Sequence, residues 1–177
     1  IKKWSHLFFV LVVVSSSLIY LWWLRNLISV EFLVPILGVT AFTNGFFREW
    51  ASKIGLWPQN FTKCFHERAG QLFALSALLF WWIVLNGNAA GLIEPKGFKF
   101  LGKYIFSGLI QQYMLNGFLV NRLIGFYGNQ DNKNIPIIAA TAFSLIHAPN
   151  WFLMLVTGLG GYFCVKIFLE HKNLYFL

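Results

Sequence analysis

Apolar runs of about 20 residues, separated by short polar stretches, constrain the fold of this chain more than any other feature. A helix rising about 1.5 Å per residue needs about 20 such residues to cross a hydrocarbon core about 30 Å thick. Only helices and closed barrels satisfy their own backbone N–H and C=O groups in that environment. By this measure the 177 residues divide into six predicted spans, at 5–24, 28–47, 71–93, 103–126, 135–147 and 151–169. The fifth is short: Pro136 opens it at a first-turn position and Pro149 follows it, so the helix ends early and turns directly into the sixth. Residues 173–177 read as the beginning of a seventh span. The predicted fold class is therefore all-α, a polytopic membrane helix bundle forming one domain over 1–177.

Composition excludes the main alternatives. Hydrophobic residues make up 58% and charged residues 11%, against roughly one-quarter charged in a soluble globular domain. The 20 Phe, 8 Trp and 6 Tyr exclude a disordered chain. Cys64 and Cys164 alone make no disulfide framework. The net charge of +8 suggests nucleic acid less than membrane topology and anionic headgroups, because the basic residues sit at the edges of apolar runs. Counted by alternate loops, Lys2, Lys3, Arg48, Lys53, Lys63, Arg68, Arg122, Lys133, Lys166 and Lys172 fall on the amino-terminal side, against Arg25, Lys96, Lys99 and Lys103 opposite. An integral, multi-pass protein with a cytoplasmic amino terminus follows from the positive-inside rule. Residues 1–24 resemble a signal peptide, but the run is long and has no small-residue cleavage site, so it reads as a retained span. The segment 48–69 mixes aromatic and basic residues and is broken by Pro58, the pattern of a segment lying along the interface.

Polar side chains at bilayer depth are costly and mark candidate sites. The fourth span carries Gln111, Gln112 and Asn116, the fifth His147, the second Glu31 and Asn44, and the third Asn86 and Asn88. Gln112 and Asn116, four apart, share a helix face, while Gln111 sits about 100° round from Gln112. The plain reading is that these amides fasten helices together, at about 0.6 kcal/mol per hydrogen bond. A single histidine near a helix end, such as His147, ordinarily bonds a carbonyl or amide. Small residues before it (Ala139, Ala140, Ala142, Ser144), and Gly158 and Gly161 on one face of the sixth span, read as close-packing positions. His66 and His171 fall in predicted loops, as solvent-facing side chains.

The order of these elements resembles the CPBP (Abi) intramembrane proteases, the family of the CAAX prenyl endopeptidases. Its members carry Glu-Glu-x-x-x-Arg followed by Gly-Phe on one helix and Phe-x-x-x-His on the next, with a later histidine motif. Gln111-Gln112-Tyr113-Met114-Leu115-Asn116-Gly117-Phe118 aligns with the first motif and Phe143 to His147 with the second. The resemblance covers a core of about 103–177. The positions of both family glutamates hold glutamine and that of the arginine holds Asn116.

In the family the glutamates and histidines are thought to activate the attacking water. A carboxylate raised in pKa by burial can take a proton near neutrality, whereas a carboxamide is no useful base. The resemblance therefore implies a catalytically inactive member acting as a scaffold or binding subunit among membrane partners, with no resident cofactor and no metal. A second reading is an endopeptidase with an altered site that uses His147. A third is a haem- or pigment-binding subunit ligated through His147 or His6. Visible absorbance of purified protein and metal analysis separate these readings.

Overall fold

The computed structural model of this chain describes residues 2–20, 33–47, 51–57, 60–85 and 106–177. Apolar stretches poor in helix breakers wind into α1 (Lys2–Ile19) and α2 (Leu33–Phe46), the latter with Pro35 in its first turn, where a missing N–H leaves no bond unmade. The short α3 (Ala51–Ile54) ends at Gly55, whose φ of 81° suits only a residue without Cβ. α4 covers Phe61–Leu85. The next helix, α5, runs over 106–127: α-helical at 106–112, π-helical over Tyr113–Val120 and α-helical again over Asn121–Tyr127. Gly128, at φ 72°, caps it and donates its N–H to the Ile124 carbonyl at 2.8 Å, a left-handed glycine cap. α6 (Asn134–Leu145) and α7 (Trp151–His171) form a hairpin, with Asn150 capping α7 by accepting the Leu153 N–H at 3.0 Å.

The described residues are 84% helical and contain no strand, so the all-α class holds. Among them one helix, Trp151–His171, is long and apolar enough to cross a membrane, while α1 and α6 are shorter apolar helices. At 12 residues α6 reaches about 18 Å, as its flanking prolines imply.

Helix α5 occupies the centre. Its Leu115, Phe118, Leu119, Val120 and Leu123 are buried with Val10 and Val13 of α1, Ile36 of α2, Ile135 and Ala139 of α6, and Val165 and Phe168 of α7. Glycines permit the tightest seams. A Cβ on Gly161 would lie 3.2 Å from Phe143 and one on Gly158 3.4 Å from Ser144, so both glycines do face α6. Ser144 locks that hairpin by donating its hydroxyl to the Met154 carbonyl at 2.7 Å. Outward, the bundle is apolar: Phe73, Leu85 and Trp151 are each about three-quarters exposed.

Several sequence expectations change. The third span was expected from 71, but α4 starts at Phe61, because its first turns are held to the end of α7 by the Arg68–Glu170 ion pair and by Asn60 Nδ2, which donates to the His171 carbonyl at 3.1 Å. Residues 61–69, expected in an interfacial segment, thus belong to α4, and His66 is helical, though exposed. His171 is not a solvent-facing loop residue: α7 runs to 171 and carries its imidazole into the α4–α7 seam, where it is 5% exposed. Residues 173–177 form a turn rather than the start of a seventh helix, since Asn173 Oδ1 accepts the N–H groups of Tyr175 and Phe176 and the Leu174 N–H is taken by the Gly55 carbonyl. Glu31, Asn86, Asn88, Pro58 and Arg25 lie outside the described residues, as do Lys96, Lys99 and Lys103.

Candidate functional site

Of the aligned polar residues, Gln111 and Gln112 end the first α-helical part of α5 and Asn116 lies in its π-helical part, a rare geometry that concentrates at functional sites. Gly117 makes room for it: a Cβ there would come within 2.9 Å of the Tyr113 ring and 3.0 Å of Ile54. One residue earlier, Asn116 is fully buried. Its Nδ2 donates to Gln112 Oε1 at 2.7 Å, and Gln112 Nε2 in turn donates to Cys164 Sγ on α7 at 3.7 Å. The face shared by Gln112 and Asn116 therefore exists, as a chain of neutral groups tying α5 to α7. On the other side, Asn44 Nδ2 donates to the Tyr113 hydroxyl at 3.0 Å, fastening α2. Asn44 Oδ1 and Asn116 Oδ1 are buried without a hydrogen-bond partner among the described residues. Each has an unmet capacity to accept, at a cost of about 1–3 kcal/mol.

Gln111 behaves differently. It is exposed and donates to Ser107 Oγ at 3.3 Å within its own helix. His147 is half-buried, 2.8 Å through Nδ1 from the Phe143 carbonyl, with the Phe143 ring edge-on to it at 5.0 Å between centroids. A carbonyl only accepts, so Nδ1 is the donor of this bond. Among the described residues no hydrogen bond joins His147 to Gln111, Gln112 or Asn116. The structure thus brings Gln112 and Asn116 together, leaves Gln111 outside, and keeps His147 bonded to its own helix. Phe143 also lines an apolar cavity of about 30 Å³ with Met114, Phe118 and Ile146.

A second polar centre escapes the motif reading. Arg122 is fully buried; its Nη1 lies 3.3 Å from His6 Nδ1 and its guanidinium 4.2 Å from the Phe47 ring centroid. His6 stacks on Phe47 at 4.0 Å and lies against Gly125. An arginine only donates, so His6 accepts through Nδ1. From sequence, Arg122 counts only as a topology signal, yet it lies inside the predicted span 103–126, and an ionisable residue inside a span is the signal that marks it.

Arg122 also belongs to the end of the bundle that gathers charge. Trp4 meets Phe126 at 5.8 Å, the Lys3 ammonium lies 5.3 Å from the Phe126 centroid, and Asn121 Nδ2 donates to the Lys53 carbonyl at 3.0 Å. His171 Nε2 is 3.5 Å from Glu67 and 3.8 Å from Glu170, beside the Arg68–Glu170 pair. Lys172, the residue after α7, holds φ at 51° and its ammonium 4.6 Å from the Phe168 centroid. Burial, reinforced by the charge of Lys53, lowers that ammonium to about 8. Among the described residues no group of three or more His, Cys, Asp or Glu side chains is gathered as metal ligands.

Compared with known proteins, the chain matches no family model, no curated protein and no solved structure.

Proposed function

We infer that this chain is a multi-pass membrane bundle of the CPBP type, catalytically inactive, that serves as a scaffold or binding subunit for membrane partners. The observation that carries the reading is the amide pair Gln112–Asn116. Where the resembling proteases keep an acid and an arginine, this chain has two neutral carboxamides bonded to each other, with Cys164 beyond them. Neither carboxamide can take a proton from water. Gln112 ties α5 to α7 through Cys164, and Asn116, beside it on the same face, is fully buried. Multi-pass insertion is supported by the apolar exterior, on which Phe8, Phe42, Phe73 and Trp81 are more than half exposed. The collection of Lys3, Lys53, Lys63, Arg68, Arg122 and Lys172 at one end of the bundle is what a six-span topology with a cytoplasmic amino terminus requires.

One observation favours the second reading, an endopeptidase with an altered site: His147 is engaged through Nδ1 alone, which leaves Nε2 without a hydrogen bond among the described residues. The two readings part in a single experiment. The full chain, reconstituted in vesicles, is incubated with prenylated and membrane-inserted peptides, alongside His147→Ala. No cleavage above background, with membrane proteins copurifying from mild detergent, is the expected result; robust cleavage abolished in His147→Ala overturns the inactive reading.

A further inference from the structure

At the charged end of the bundle one cation has no acceptor. Lys172 Nζ is buried and makes no hydrogen bond among the described residues; it lies over the Phe168 ring. Of the carboxylates on the adjoining turns, Glu170 pairs with Arg68 and Glu67 lies 3.5 Å from His171 Nε2. A second donor is unmet on the next residue. Asn173 is 1% exposed, and its Oδ1 accepts two backbone N–H groups, which fixes Nδ2 as the opposite, unpartnered face of the amide.

A second cation is brought to the same place by the backbone. The Leu174 N–H bonds the Gly55 carbonyl at 2.9 Å, and a Cβ on Gly55 would lie 2.7 Å from the Phe168 ring and 3.1 Å from Leu174. Gly55 and its turn thus press directly on the segment that carries Lys172, with Lys53 two residues before that turn and exposed. Like charges on adjoining segments, one of them desolvated, raise the free energy of the fold unless an anion joins them.

We propose that Lys53 and Lys172, with the unpartnered amide of the adjoining Asn173, form a binding site for a phosphate-type oxyanion at this end of the bundle. Phosphate suits the site because it offers several acceptor oxygens to ammonium groups that act as point charges. Lysine's flexible stem lets the Lys172 head leave the Phe168 ring for such a ligand. The phosphate comes from an anionic lipid headgroup or from free phosphate. The site is separate from the Gln112–Asn116 pair and stands whether or not the proposed function does. The drop in the Lys172 ammonium to about 8 accords with a cation that lacks its counter-ion.

The test uses the purified full chain in neutral detergent, titrated separately with dioctanoyl phosphatidylglycerol, dioctanoyl phosphatidylcholine and inorganic phosphate. Saturable binding of phosphatidylglycerol, inorganic phosphate or both, tighter than phosphatidylcholine, is expected. Phosphatidylglycerol alone identifies a lipid headgroup; inorganic phosphate binding as well identifies a site open to the soluble ion. The double variant Lys53→Met, Lys172→Met should bind about 30-fold more weakly, from the loss of two lysine contacts, while Lys53→Arg, Lys172→Arg keeps most of the affinity. Equal binding of all three probes, or undiminished binding by the methionine pair, overturns the proposal. Should the methionine pair lose helical circular dichroism, the wild type decides: binding must weaken between about 50 and 500 mM salt as charges are screened, and salt-insensitive binding overturns it.

Discussion

Replacing Gly125 by alanine tests the packing of the buried His6–Arg122 centre. A methyl group there would meet His6 Cε1, Nε2 and Nδ1 at 2.5, 2.6 and 2.7 Å, well inside the ~3.5–4.0 Å of optimal carbon contact. The ring has little room to retreat. Phe47 stacks on it at 4.0 Å, and Arg122 Nη1 holds its Nδ1 at 3.3 Å. Overpacking of this kind costs about 1–3 kcal/mol, and collision with three atoms of one rigid ring puts it in the upper half of that range. Alanine returns about 1 kcal/mol through helix propensity, leaving a net loss of about 1–2 kcal/mol. At about 2–4 °C per kcal/mol for a chain of this size, the apparent Tm in detergent should fall by about 2–8 °C. Gly70→Ala is the matched control, because Gly70 lies within α4 with nothing within 4 Å of its would-be Cβ; it should raise Tm through the same propensity term. In a His6→Ala background the penalty of Gly125→Ala should vanish, as a double-mutant cycle reads coupling between touching residues. A Gly125→Ala protein at or above the wild-type Tm, or a penalty unchanged without the imidazole, refutes the packing described.

Two further outcomes are expected. Gln112→Ala removes the acceptor of the buried Asn116 Nδ2 and should cost about 1–3 kcal/mol, whereas Gln111→Ala, on an exposed side chain, should stay within about 0.5 kcal/mol; chemical unfolding in mixed micelles compares them, and equal losses contradict the separation of the two glutamines. Lys172 titrates lower in the fold, at about 8 against an ordinary 10.5, so the unfolded chain binds the extra proton between those values and stability rises with pH across that window. Below about 8 the penalty is fully present. Tm measured from pH 7 to 10.5 should therefore climb in the wild type relative to Lys172→Met, and parallel curves contradict the assignment.

The sites most legible in sequence were those whose signal is local. Gln112 and Asn116 lie four apart on one helix, and that spacing alone puts their amides within reach; their 2.7 Å bond needed no knowledge of another helix. The proline-bounded fifth segment and the glycine faces of the α6–α7 hairpin follow from equally local rules. The extent of α4 was not legible, because the residues that extend it, Asn60 and Arg68, act through partners about 100 positions away on α7. His171 was misread for the same reason. Its burial depends on α7 running past the apolar run that delimits it in sequence, and on Glu67 arriving from α4.

The amino-acid order by itself determined that the chain is helical and apolar, that its polar groups are few, and that two of them, Gln112 and Asn116, share one helix face. These are properties of a residue and its near neighbours, set by backbone hydrogen bonding and a fixed rise per residue. Only the tertiary structure decided which of those groups meet: Gln112 with Cys164, Asn44 with Tyr113, Arg122 with His6, and the turn of Gly55 with the segment of Lys172. Such meetings depend on how each helix is rotated and offset against its neighbours. That is fixed by close packing at glycines and by the π-helical turns of α5, and apolar side chains indifferent to their exact partner leave no trace of it in the one-dimensional pattern.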